Sequence, residues 1–188
     1  MALNNATTSC GAAVLFLTLT ACSNETSAGE SARWSANPDR LGPIRANTAF
    51  DQQALAAALP EFQVSATTAM AEGEAYPIME ARRADAENAE LVFDGDDGRL
   101  LAVTIRVPGL VGASADIGQT GADAGFSHND CFPGVEERSG DIVCQDPRPT
   151  GLTYWIEIDH AGPDGELPPA AVIDAGRIYE IQWVPVPG

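Results

Sequence analysis

The stretch ELVFDGDDGRLLAVTIRVPG, residues 90–109, decides the fold. Leu91 to Phe93 form an apolar arm. Leu101, Val103, Ile105 and Val107 alternate with their neighbours along a second arm, and Asp94-Gly95-Asp96-Asp97-Gly98 lies between the two. Alternation of period two marks a strand with one buried face, and Asp-Gly suits the positive-φ positions of a tight hairpin turn. The acidic turn also raises a calcium reading. An EF-hand loop needs an oxygen ligand at its fifth position, a glycine at the sixth and a glutamate at the twelfth. Here those positions hold Gly98, Arg99 and Ile105, so turn chemistry accounts for the aspartates.

Further strands flank this hairpin. Phe62 and Val64 alternate with polar neighbours, and AYPIMEARR (75–83) reads as a weaker strand whose Pro77 suits an edge or a strand start. Tyr154, Ile156 and Ile158 alternate in one later run, and Tyr179, Ile181 and Trp183 in the last. Thr48 to Asp51 resembles a capping box with Asp in place of Glu. Leu55 and Leu59 follow at helical spacing and Pro60 stops the run, so a helix is expected over 49–59. A proline-started helix is expected near 169–175. Residues 108–150 are glycine-rich and aperiodic. Few helical crossovers separate the strands, so the expected fold class is α+β. It would be a mainly antiparallel sheet with one N-terminal helix, one short C-terminal helix and a long disulfide-linked irregular loop, in a single globular domain over 41–188.

The N-terminal segment carries an address. GAAVLFLTLT (11–20) is too short to span a bilayer and fits the apolar region of a secretory signal, although no Arg or Lys precedes it. Leu19-Thr20-Ala21-Cys22 looks like a bacterial lipobox, which makes 1–21 a lipoprotein signal peptide and Cys22 the lipidated residue. Multiple acyl chains anchor stably where one does not. Ser23 after the cysteine points to the outer membrane. The polar run that follows reads as a tether, so 22–40 is assigned to the lipidated cysteine and its linker.

Cys10 falls in the removed segment, which leaves Cys131 and Cys144. In an exported domain such a pair reads as a disulfide, whose closure is worth about 3 kcal/mol. The alternative is a metal pair, but the nearest histidine, His128, gives no zinc-type spacing.

Charge narrows the function. The net charge is −17 and all 10 basic residues are arginine. Nucleic-acid binding is excluded for want of a basic surface, and lysine-based covalent chemistry for want of a lysine. His128 sits in GFSHNDC beside Ser127 and Asp130, but triads are assembled from separate segments. His160 reads as a solvated turn residue. Neither a nucleophile elbow nor a zinc-protease, P-loop or dinucleotide motif occurs. No catalytic residue, metal or cofactor is therefore assigned. Asp116, Asp123, His128 and Asp130 mark a possible binding loop inside the irregular segment.

LGPIRANTAFDQQALAAALPEFQV, GASADIGQTGADAGF with Cys131 and VCQDP, and GPDGELPPAAV with IQWVPVP together resemble the RpoE (sigma-E)-regulated lipoprotein family. The resemblance covers about 41–187. It implies an exported, outer-membrane-attached envelope protein under stress control and brings no catalytic residues. The expected function is thus a non-enzymatic, lipid-anchored periplasmic protein in envelope maintenance, binding an unknown envelope protein or component. Two alternatives stand beside it. One is an inhibitor or scavenger of a basic protein such as a lysozyme. The other is a hydrolase using His128 or a carboxylate pair.

Overall fold

A computed structural model describes residues 33–186, apart from 161, 164 and the side chain of 137. Residues 1–21, expected to be a signal peptide, and Cys22 lie outside the described residues. The hairpin that opened the sequence reading is present as β6 (Leu91–Asp96) and β7 (Arg99–Ile105). Its turn is Asp97-Gly98, with φ of 48° and 74°, the two positive values such a turn requires.

The hairpin sits inside an eight-stranded sheet. β4 (Gln63–Ala71) and β5 (Glu74–Arg82) precede it. β8 (Cys131–Pro133), β9 (Ile142–Gln145), β10 (Leu152–Glu157) and β11 (Arg177–Trp183) follow. The strand order is β4-β5-β6-β7-β11-β10-β9-β8, and every neighbouring pair is antiparallel. The C-terminal strand β11 thus joins two meanders. A second, three-stranded sheet consists of β1 (Ala36–Asn37), β2 (Arg40–Leu41) and β3 (Ile44–Arg45). Ala36, Asn37 and Arg40, which the sequence reading places in the tether, take part in this pairing, and the Trp34 N–H donates to the Leu110 carbonyl.

One face of the large sheet builds the core. The register sets Leu91, Ile105, Ile181, Tyr154, Cys144 and Cys131 side by side across β6, β7, β11, β10, β9 and β8. All six are buried. Leu41, Ile44, Leu55 and Leu59 cover this row from the N-terminal segment. Each fully buried aliphatic side chain contributes about 1.5–3 kcal/mol. Cys131 and Cys144 pair across β8 and β9 with Cα atoms 4.0 Å apart and form the expected disulfide.

The α+β expectation needs correction. The helices are α1 (Gln52–Ala58), α2 (Gly121–Ala124) and α3 (Ala170–Ala175), none longer than 7 residues. They trim the ends of a mostly antiparallel β fold and build no helical layer. The N-terminal helix expected over 49–59 is not an architectural element: it shrinks to seven residues capped by the Asp51 side chain. The reason is that only Leu55 of that helix is buried, too little apolar surface to make a second layer.

Two β-bulges also overturn the alternation read from sequence. Asp94 pairs with Ala102 but Gly95 with Leu100, so Leu101 is the extra residue of β7. Leu100 takes the core position and Leu101 is left exposed. In β11, Trp155 pairs with Glu180 but Ile156 with Ile178, so Tyr179 is the extra residue and Ile178 the buried one.

Candidate functional site: an arginine-clasped carboxylate

The second bulge organises the other face of the large sheet. A bulge adds a residue and re-aims its neighbours. Here it places Glu180 opposite Trp155, on the face away from the core, and frees Tyr179 to reach outward. Glu180 is only 2% exposed although it is charged. Arg106, just beyond β7, donates from Nε to Glu180 Oε2 at 3.0 Å. Arg138 brings Nη2 to 2.5 Å from Oε1. That second contact is an ion pair without an aligned hydrogen bond.

Arg138 reaches Glu180 from the β8–β9 connection. This loop makes a 3₁₀ turn at Glu136–Arg138 and enters it with Glu136 at φ 53°. Gly134 makes the fold-back possible: a Cβ there would lie 2.1 Å from the Arg138 carbonyl oxygen. The Arg138 guanidinium also stacks over the Trp155 ring, 4.2 Å from its centre, and donates from Nη1 to the Tyr179 hydroxyl at 3.2 Å. Tyr179 in turn donates to Asp141 at 2.7 Å. Burial, reinforced by that donation, pushes the Tyr179 hydroxyl well above its ordinary range. Asp94 faces the same cluster. Its carboxyl is pushed up, first by burial and then by the charge of Glu180, while Arg106 and Arg138 pull the other way.

Two adjoining hollows open beside this cluster. One, of about 480 Å³, is lined by Tyr76, Asp94, Thr104, Arg106, Arg138 and Gln182 among others. The next, of about 740 Å³, is lined by Ser65, Glu80, Arg82, Glu87, Asn88 and Arg106 among others. They share Glu80 and Arg106. Three of the chain's 10 arginines thus collect on one surface of an acidic protein. No histidine or cysteine is among the lining residues of either hollow. Among the described residues, no group of three or more His, Cys, Asp or Glu is placed to hold a metal ion. The lining arginines, carboxylates and amides offer ionic and hydrogen-bonding contacts to a ligand.

The loop residues singled out from sequence do other work. Asp116 accepts from the Gly109 N–H through both oxygens, at 3.0 and 2.9 Å, and closes its own loop. Asp123 shares a capping box with Thr120 at the start of α2, whose hydrogen bonds lower its carboxyl. His128 Nε2 lies 3.0 Å from the Pro168 carbonyl oxygen and ties the loop to the segment before α3. Asp130 ends the 3₁₀ turn His128–Asp130. Among the described residues, no hydrogen bond or ion pair joins any two of these four.

A separate polar cluster pins the same loop. Tyr154 donates to Asp146 Oδ2 at 2.8 Å, and the Arg148 side chain donates to Asp146 and to Ser114. Burial raises the Asp146 carboxyl, but these hydrogen bonds outweigh it and hold it at about 2. This cluster buries the Asp146 carboxylate and acts as a structural latch, with Arg148 as its solvent-facing side.

Sequence reasoning misses Glu180, Arg138 and Arg106, and takes Asp94 only as a turn residue. The available signal was Glu180 itself, a charge in mid-strand between Ile178 and Ile181 in RIYEIQW.

No curated protein matches the chain. The crystal structure of the uncharacterized protein yfeY from Escherichia coli is similar in fold, with a TM-score of 0.64 at 19% sequence identity. The match covers 81% of this chain and 99% of that one. Residues 29–185 match the family described as "Protein of unknown function (DUF1131)", and the chain belongs to that family.

Proposed function

We propose that this chain is a lipid-anchored protein of the bacterial envelope that binds an envelope partner without catalysis, through the arginine-lined face of its sheet. The lipobox at Leu19–Cys22 supports the anchor, and the resemblance to RpoE-regulated lipoproteins supports a place in envelope maintenance or stress response. One observation carries the binding reading. Glu180 is buried between Arg106 and Arg138, and both arginines also line an open hollow with Tyr76. Burying a carboxylate is costly unless it is paired. Here the pairing fixes two guanidinium groups in position, and Arg106 remains half-exposed with donors to spare. Such forks recognise a carboxylate or phosphate group of a partner.

The test is crosslinking and pull-down from intact envelopes, comparing the native chain with Arg106→Ala and Arg82→Ala. Loss of a captured partner in both variants, with folding intact, supports the reading; unchanged capture overturns it.

A second reading, a hydrolase using a carboxylate pair, is favoured by one observation. The Asp94 carboxyl is raised, first by burial and then by the charge of Glu180, the pattern of an acid beside a fixed carboxylate. Against it, both oxygens of Glu180 are taken by arginine. Asp94→Asn that leaves partner capture intact argues for binding alone.

A further inference from the structure

The two edges of the large sheet are treated differently. β8 is three residues long and ends at Pro133. A short strand and a proline are devices that block edge pairing. β4, the other edge, runs for 9 residues, QVSATTAMA, with no charge, no proline and no break in its register with β5. Beyond Val64, whose carbonyl the Gln52 side chain occupies, this edge is regular, uncharged and open, a template for another strand.

The hydrogen-bonding polarity of this edge follows from two contacts. The Val64 carbonyl accepts from Gln52 of α1 at 2.9 Å, so residue 64 faces outward from the sheet. By alternation Ala66, Thr68 and Met70 also turn their N–H and C=O groups outward. Pro77 agrees: lacking an N–H, it sits opposite Thr68, where no hydrogen bond between β4 and β5 is required of it.

We propose that β4 pairs with β4 of a second copy, antiparallel, about a twofold axis at Thr67. In that register Ala66 and Thr68 exchange hydrogen bonds with their counterparts, as the outward polarity requires. Val64 faces Met70 of the second copy and would cover that residue, which is 64% exposed. Ser65 faces Ala69, and Thr67 faces Thr67. Every opposed pair is uncharged. That favours self-association at this edge, because two chains of net charge −17 repel one another elsewhere. A twofold, self-complementary contact is the commonest way for a chain to form a closed dimer.

The experiment uses the full chain with Cys22→Ser, so that no lipid is attached. Light scattering at increasing concentration should show twice the chain mass, and raising the salt should strengthen association. Thr67→Cys should form a covalent dimer on mild oxidation, because residue 67 meets itself across the axis. The native Cys131–Cys144 bond is the precedent, made across directly opposed strand residues. Ser65→Cys should not form it, because position 65 faces position 69. Thr68→Pro should give a monomer with an unchanged circular dichroism spectrum, since the lost N–H points outward. A monomer at every concentration overturns the proposal and leaves the edge for a strand of another protein. Equal crosslinking at 65 and 67 overturns the register.

Discussion

The guanidinium carbon of Arg138 lies 4.2 Å from the centre of the Trp155 ring, on the face of the sheet away from the core. The same arginine is ion-paired to Glu180 at 2.5 Å. One loop residue therefore covers an indole and neutralises a buried carboxylate, and removing it exposes both.

Arg138→Ala should destabilise the fold by about 3–5 kcal/mol, because Glu180 is left buried with half its pairing gone. Arg106→Ala should cost about 1 kcal/mol or less, since that side chain is half-exposed and Arg138 remains. Chemical denaturation measures both. Tryptophan emission should shift in the Arg138 variant and stay put in the Arg106 variant. Equal losses would contradict this division of labour.

Gly134→Ala tests how Arg138 is delivered. The added methyl would sit 2.1 Å from the Arg138 carbonyl oxygen, against backbone that cannot simply rotate away. A cost of about 1–3 kcal/mol is expected for such overpacking. The near-ultraviolet signal of Trp155 should change along with it. A stable variant with a native spectrum would show that the loop has slack.

Asp94→Asn should stabilise the protein at neutral pH. The folded carboxyl is raised above its ordinary value by burial and by Glu180. Its contribution is therefore most favourable below the unfolded value and declines as pH rises through the folded one. The advantage of the variant over the native chain should be present at pH 7 and vanish in acid. Urea titrations at two pH values decide this, and a less stable variant at pH 7 would refute it.

Asp146 contributes to the acid limb. Its folded carboxyl is held at about 2, against an ordinary 3.8, by Arg148, Ser114 and Tyr154 after burial has been overcome. A depressed carboxyl contributes stability that is present above the ordinary value and lost as pH falls toward the folded one. Tyr154→Phe removes the 2.8 Å donation and should cost about 1–3 kcal/mol. The midpoint of acid unfolding should move to higher pH. No movement would mean that Arg148 alone sets the carboxyl.

Reduction of Cys131–Cys144 should lower stability by about 3 kcal/mol through the freed loop. It should also loosen Arg138, which that loop carries. Tryptophan emission followed during titration with a thiol reductant would report both, and reduction without any spectral change would separate the bond from the site.

Much of the fold is legible in the sequence because strand periodicity is a local property. The arms of the 90–109 hairpin follow from residue type and spacing alone, whereas the turn, read over Asp94–Gly98, closes on Asp97-Gly98 because Asp94–Asp96 continue the strand. The errors have one physical origin. A bulge depends on how two strands fit and leaves no trace in the alternation of either. Alternation alone sets Leu101 and Tyr179 on the core face for that reason, yet Leu100 and Ile178 hold those positions. The acidic loop residues looked available because sequence does not reveal that Asp116 is bonded to Gly109 or His128 to Pro168.

The sequence by itself determined the arms of the antiparallel hairpins and the absence of any lysine, and the expected compartment pointed to the Cys131–Cys144 bond that the structure contains. Only the tertiary structure decided the site. Glu180 meets Arg106 across 74 residues, and meets Arg138 only because Gly134 lets a cross-linked loop fold back over the sheet. Charge pairs between distant segments are set by strand order and register, and those arise when the whole sheet closes around β11.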